Sequence, residues 1–169
     1  DWDIIKFLRE NLPPNTVFFS NGNILYPEDI SRGMDFISCD GIMSAEGNLY
    51  NPGIFNSTDG AEKEKAFPRV DLIARQYFEI VKKYQQSQAS KNAMKSHMFK
   101  ILRPFLTVHT DIRASLASLN AKRSFEDWEQ ELIKPVEKTV QKIFEETNIE
   151  QKDLVTKGPV ELWGGSYYT

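Results

Sequence analysis

The chain has 169 residues, 40% apolar and 27% charged, with a formal charge of -3, a balance ordinary for a soluble globular protein with one core or two small ones. The single cysteine, Cys39, excludes an intrachain disulfide framework and fits a reducing compartment, cytosolic or nuclear. Nothing suggests a signal peptide or membrane span, and the start at Asp1 inside an amphipathic pattern, without Met, reads as a piece of a longer protein.

In chain order, residues 3–10 place Ile4, Ile5, Phe7 and Leu8 on a mostly buried helix face that Pro13-Pro14 ends. Residues 16–20 (TVFFS) read as a buried strand closing in the polar turn Asn21-Gly22-Asn23. Pro27 then opens a helix over 27–37 with Glu28 and Asp29 in its first turn, and Ile30, Met34 and Ile37 are spaced to pack on a sheet. A second strand over 39–44 follows, then a turn at Glu46-Gly47, with Pro52 and Gly53 beyond it. Two successive strand-to-helix units thus each carry a glycine after the strand. Exposed loop amides in that setting bind phosphate, and loops after the last two strands of a (β/α)8 barrel commonly do so.

Residues 56–66 (NSTDGAEKEKA) read as a linker, since alanines are their only apolar residues. Beyond it the pattern is helical. Val70, Ile73, Ala74, Tyr77, Val81 and Tyr84 form one stripe, and Met94, Met98, Ile101, Leu102 and Phe105 form another. A third helix is expected over 111–121. A fourth starts at the N-cap Ser124, and Pro135 should kink or split it before it continues over 136–146. Residues 147–169 form a tail, packed or partly disordered, whose Trp163, Tyr167 and Tyr168 could stack on bases or dock on the helical core.

The modest total charge hides a division. Lys and Arg number 7 against 13 acids in residues 1–80, 9 against 1 in 81–123, and 5 against 10 in 124–169, so the blocks carry -6, +8 and -5. A cationic block between acidic neighbours is the footprint of polyanion binding. On one continuous helix Lys91, Lys95, Phe99 and Arg103 would fall at successive i to i+4 steps as a basic ridge opposite the apolar stripe.

Two long motifs carry a resemblance. Asn21-Gly22-Asn23-Ile24 with Pro27-Glu28-Asp29-Ile30, followed by residues 40–48 (DGIMSAEGN) and 51–55 (NPGIF), resembles the end of the flavin barrel of tRNA-dihydrouridine synthases. Ala45-Glu46-Gly47 resembles the eukaryotic branch acting at tRNA positions 16 and 17; other branches usually carry Arg in place of Glu46. Residues 95–105 (KSHMFKILRPF) and 109–113 (HTDIR) resemble that branch's helical domain.

The resemblance implies α/β plus all-α architecture: the C-terminal βα units of an FMN-binding TIM barrel in residues 1–55, a linker over 56–66, a helical tRNA-binding domain over 67–146 and a tail over 147–169. It implies FMN-dependent, NADPH-driven reduction of uridine to 5,6-dihydrouridine in the D-loop of tRNA. In that family NADPH reduces FMN, the flavin passes hydride to uracil C6 and a cysteine protonates C5. That cysteine lies upstream of Asp1, so no catalytic residue is assigned here. The FMN phosphate is expected on Asn21, Gly22, Asn23, Ala45, Glu46 and Gly47, chiefly through main-chain amides, with the Glu46 carboxylate turned away because it would repel the phosphate. RNA contacts are expected from Lys91, Lys95, His97, Lys100, Arg103, His109 and Arg113. The protein is expected to be a monomer without metal or membrane association.

Other readings stand beside these. A solvated helix face is the default for any basic ridge. His97, at the margin of the apolar stripe, serves packing or RNA, while His109 beside Asp111 and Arg113 leans to function. Cys39 reads as a small buried strand residue rather than a nucleophile. The whole chain also admits a stand-alone helical RNA-binding module without catalysis, or a different phosphate-binding barrel enzyme.

Overall fold

The computed structural model describes residues 1–56, 63–84 and 88–147. The Asp1 side chain accepts the Asp3 amide at 3.1 Å and caps α1 (Trp2–Asn11). Leu12, which precedes Pro13, is extended and ends it. A short strand, β1 (Phe19–Asn21), leads through a loop to α2 (Pro27–Ile37). Pro27 sits in the first turn of α2, and the buried Asp29 carboxylate accepts the amides of Leu25 and Tyr26 at 3.1 and 3.0 Å, so its burial leaves it satisfied. Ser38 closes α2 in the left-handed conformation, with its amide on the Met34 carbonyl. β2 (Gly41–Met43) then lies parallel to β1 in the register Phe19 to Gly41, Ser20 to Ile42 and Asn21 to Met43. This β1-α2-β2 crossover is the unit expected from residues 16–44. Cys39 is buried, its sulfur 3.8 Å from that of Met34, which fits the packing reading.

Two burial expectations are corrected. In α1, Ile4, Phe7 and Leu8 are 59%, 62% and 49% exposed, and no residue of the helix is buried. The helix docks by another route: the Trp2 indole donates to the Gly22 carbonyl at 2.8 Å, and its ring lies 6.3 Å from Phe36. Of residues 16–20, expected as a buried strand, only Ser20 is buried, while Val17, ahead of β1, and Phe19 are open at 71% and 61%. The reason is the same for both. A two-stranded sheet with α1 and α2 beside it covers one flank, and no further layer among the described residues meets the other.

Beyond β2 come α3 (Glu46–Tyr50) and α4 (Lys63–Ala66), the latter occupying the end of the stretch read as a linker. Asn51 is buried between them, its side chain donating to the Ala66 carbonyl at 2.8 Å and accepting the Gly53 amide at 2.9 Å.

The second half is helical: α5 (Val70–Lys83), α6 (Gln88–Ile101), α7 (Arg103–Val108), α8 (Thr110–Ser118), α9 (Phe125–Trp128), a π-helical turn over Glu129–Ile133, and α10 (Lys134–Thr147). Phe78, Met94, Met98, Leu102, Phe105, Leu116, Trp128 and Leu132 are fully buried in one core. On α5, Phe78 takes an inward place and Tyr77 is half-buried, while Tyr84, which caps the end of the helix, is 59% exposed. The Ser124 cap forms with Asp127: the Asp127 amide donates to the Ser124 hydroxyl at 3.0 Å, and the Ser124 amide donates to the Asp127 carboxylate at 2.9 Å. The helix begun at Ser124 is interrupted just before Pro135, by a π-helical turn over Glu129–Ile133. Pro135 lies just after that turn, where the change in hydrogen-bond step accommodates the missing proline N–H, and α10 runs on. The tail from residue 148 onward, with Trp163, Tyr167 and Tyr168, lies outside the described residues.

Arg75 on α5 ties this bundle together. It donates to both Glu137 oxygens at 2.7 and 2.8 Å and to Glu129 at 2.7 Å. Arg75→Met should lower stability by about 1–2 kcal/mol, a value kept small by the partial exposure of the group. These hydrogen bonds hold the Glu129 carboxyl below its ordinary 4.5. A depressed carboxyl pKa stabilises the fold above the ordinary value and ceases to do so as pH falls through the lowered one. Acidification below 4.5 should therefore cost the wild type more than Arg75→Met, measured as the drop in unfolding temperature.

Candidate nucleic-acid interface and phosphate loop

The loop after β1 and the loop after β2 are fastened together by Ser44. Its hydroxyl donates to the Ile24 carbonyl at 2.7 Å and accepts the Asn48 amide at 3.2 Å. Gly47 makes the approach possible, since a Cβ there would stand 2.4 Å from the Ile24 oxygen and 2.8 Å from the Ser44 hydroxyl. Asn23 turns its loop with φ of 56°, a left-handed conformation that asparagine tolerates. Between the loops is an open hollow of about 160 Å³ lined by Asn21, Asn23, Ile24, Leu25, Ala45 and Glu46. Of the six residues expected around a phosphate, Asn21, Asn23, Ala45 and Glu46 meet there. Gly22 and Gly47 have packing roles behind it: Gly22 accepts the Trp2 indole and lies against Ile5. Ser44 was missed as a fastener because a lone serine after a strand has no pattern of its own.

The basic residues do not form one ridge. The expectation assumed a continuous helix, but α6 stops at Ile101 and a new helix starts at Arg103, with Pro104 in its first turn. The break displaces Arg103 alone, while Lys91 and Lys95, both on α6, are taken up by separate neighbours. Lys91 lies over the Phe125 ring at 4.9 Å, and the Lys95 ammonium donates to the Ala117 carbonyl at the end of α8. His97 shares a 2.7 Å hydrogen bond with the Tyr77 hydroxyl. His109 stacks on Phe105 with ring centroids 4.2 Å apart, and its buried Nε2 has no hydrogen-bond partner among the described residues. Lys100, Arg103 and Arg113 come together with Phe99, Leu106 and Thr107 around a cleft of about 520 Å³. Three cations beside a half-buried aromatic ring suit a phosphodiester and its base.

The cleft and the loop hollow are joined by Tyr50, a buried residue that sequence reasoning missed. Its hydroxyl donates to the Glu46 carboxylate and accepts from Lys100 at 3.0 Å and from Arg103. Lys100 also pairs with Glu46 at 3.1 Å. Hydrogen bonds from Tyr50 and then Lys100 lower the Glu46 carboxyl, and bonds to Tyr50 and then Glu46 raise Lys100. The carboxylate expected to turn away from a phosphate is thus committed to its own neighbours. The spacing of Glu46 and Tyr50, four residues apart on one helical turn, is the signal that was available.

A paired-loop hollow on a parallel βαβ unit, joined to a helical bundle with a basic cleft, defines a two-part protein suited to a phosphate-bearing ligand and a polyanion. The chain belongs to the dihydrouridine synthase (Dus) family, whose sequence model matches residues 1–153. It is 63% identical over its full 169 residues to a tRNA-dihydrouridine(16/17) synthase (NAD(P)(+)) of Saccharomyces cerevisiae and spans 40% of that protein. A Schizosaccharomyces pombe protein of the same name is 43% identical over 128 residues, which are 75% of this chain and 32% of the relative. A Mus musculus protein, similarly named with the suffix "-like", is 33% identical over 118 residues, 70% of this chain and 22% of the relative. The chain therefore spans two fifths or less of the curated relatives it matches. The family and the mostly helical architecture with few strands agree with the expectation from the motifs.

Proposed function

We propose that this chain is the part of an NADPH-driven, FMN-dependent tRNA-dihydrouridine synthase that supplies one side of the cofactor's phosphate site and the grip on tRNA. In this reading residues 1–55 are the last βα units of the barrel and residues 67–146 the tRNA-binding domain, with the linker and tail between and after them as bounded above. The names of the relatives support the substrate, and the observation that carries the reading is the junction of the two concavities. A loop hollow of about 160 Å³ and a cleft bearing Lys100, Arg103 and Arg113 are linked through the Glu46 to Lys100 contact. A polyanion held in that cleft would be positioned beside whatever the loops hold.

The loop residues fit a phosphate. Asn21, Asn23 and Ala45 bring main chain and small side chains to the hollow, and the one acid there is offset by Lys100 and Tyr50. When bound, the flavin supplies hydride transfer, chemistry that no side chain here provides. The chain's own residues orient: the loops seat the phosphate end, and the cleft holds RNA whose target base must leave its stack to react.

The test uses the longer protein that carries this chain, an unmodified tRNA transcript and NADPH. Dihydrouridine should form, and the isolated 169-residue chain should bind the same tRNA yet purify without stoichiometric FMN. Two strands cannot enclose a flavin ring, because a closed barrel needs eight. Stoichiometric flavin on the isolated chain, or no NADPH-dependent product from the longer protein, would overturn the assignment.

A further inference from the structure

A tyrosine hydroxyl has one proton to donate and two lone pairs to offer. At Tyr50 all three are used. The proton goes to Glu46, on the first turn of α3, and the lone pairs accept Lys100 from α6 and Arg103 from α7. Both cations also lie over the face of the same ring, Lys100 at 4.8 Å and Arg103 at 5.2 Å from its centroid. Tyr50 is only 3% exposed, so its ring is a fixed post, whereas lysine and arginine side chains on an open surface sample many rotamers. Lys100 and Arg103 are two of the three cations lining the basic cleft.

We infer that Tyr50 is a positioning residue for polyanion binding: it holds Lys100 and Arg103 in a preset geometry at the cleft, and Glu46 orients the Tyr50 hydroxyl for that task. The inference rests on the proposed RNA role of the cleft and adds to it a residue from outside the basic block. It also gives the acid at position 46 a purpose. Next to a phosphate site a carboxylate is a disadvantage, but as the acceptor that sets the direction of the Tyr50 proton it leaves both lone pairs for the cations. Ordering the two cations before the RNA arrives lowers the entropy lost on binding.

Tyr50→Phe removes the hydroxyl and leaves the ring, so the stacking of both cations is retained. With a labelled unmodified tRNA transcript, this variant should bind about 5-fold to 10-fold more weakly than wild type. The plot of log K against log salt should be shallower by about one, as for the loss of one phosphate contact. A merely structural role would shift the unfolding temperature and leave that salt slope unchanged. Glu46→Gln keeps an oxygen acceptor for the hydroxyl and removes a negative charge, so its affinity should equal or exceed that of wild type. Glu46→Ala should resemble Tyr50→Phe.

Arg113→Glu separates the RNA role of the cleft from the positioning role of Tyr50, because Arg113 lines the cleft but makes no described contact with Tyr50. If wild type binds, Arg113→Glu weakens binding and Tyr50→Phe changes neither affinity nor slope, the positioning role is wrong and the RNA cleft stands. If Arg113→Glu and Tyr50→Phe are both without effect, or wild type does not bind, the cleft assignment fails and the positioning role fails with it.

Discussion

In the flavoprotein proposed above, Gly47→Ala is expected to lower flavin content at least 10-fold, while Gly22→Ala keeps most of it. The contrast follows from what a single methyl would meet. At Gly47 the new carbon falls 2.4 Å from the Ile24 carbonyl oxygen, 2.8 Å from the Ser44 hydroxyl and 2.9 Å from Ile54. The first of these is backbone, so the loops after β1 and β2 must separate, which breaks the Ser44 to Ile24 hydrogen bond and opens the hollow. At Gly22 the nearest atom is the flexible end of Ile5 at 3.2 Å, which can move aside. Overpacking of this kind costs about 1–3 kcal/mol, enough to disorder a loop contact without unfolding the chain. The check is the ratio of flavin to protein absorbance after purification, with the unfolding temperature recorded for both variants. Equal flavin retention would remove the phosphate site from these loops.

How far the molecule can be read from its residues differs between its parts. The helix over 27–37, the parallel βαβ unit, the Ser124 cap and the stripe from Met94 to Phe105 were legible, because each depends on local signals: Pro27 at a helix start, a serine with an acid three residues on, apolar residues at helical spacing. What was not legible depends on neighbours. The α1 pattern reads as buried, yet Ile4, Phe7 and Leu8 lie open, since periodicity reports which face is apolar and not whether anything covers it. The ridge from Lys91 to Arg103 failed for a local reason with a distant consequence. Pro104 was visible, but that the helix would restart at Arg103 was not; the restart turns Arg103 to Tyr50, while Lys91 and Lys95, both on α6, are taken by Phe125 and the Ala117 carbonyl. At the candidate site, Asn21, Asn23, Ala45 and Glu46 line one hollow, and Lys100, Arg103 and Arg113 line one cleft. Tyr50, which joins these two, shows in the sequence only through its spacing from Glu46, since its partners on α6 and α7 lie 50 and 53 positions away.

Reversing Arg103 and Arg113 together to Glu is expected to weaken tRNA binding by about a hundredfold at about 0.1 M salt and to flatten the salt dependence by roughly two. Both side chains line the cleft. Each reversal removes a cation that can neutralise a phosphate and adds an anion beside it, and because phosphate contacts read no bases the loss should be the same for any tRNA. Two comparisons give the result its meaning. Lys95→Glu carries half that charge change in the same basic block, and the Lys95 ammonium already serves the end of α8 through the Ala117 carbonyl. It should cost only a few-fold in affinity, together with a small loss of stability. Lys138→Glu with Lys142→Glu lies in the acidic block, where Lys142 is paired with Glu146 at 3.5 Å, and should change affinity least of all. Long-range attraction alone would make the effects track the number of charges reversed, screened beyond about 10 Å at this salt. A ranking of Arg103 with Arg113 far above Lys138 with Lys142, at equal charge change, therefore assigns the grip to the cleft. Equal losses from the two pairs would leave only a diffuse field and put recognition elsewhere on the protein.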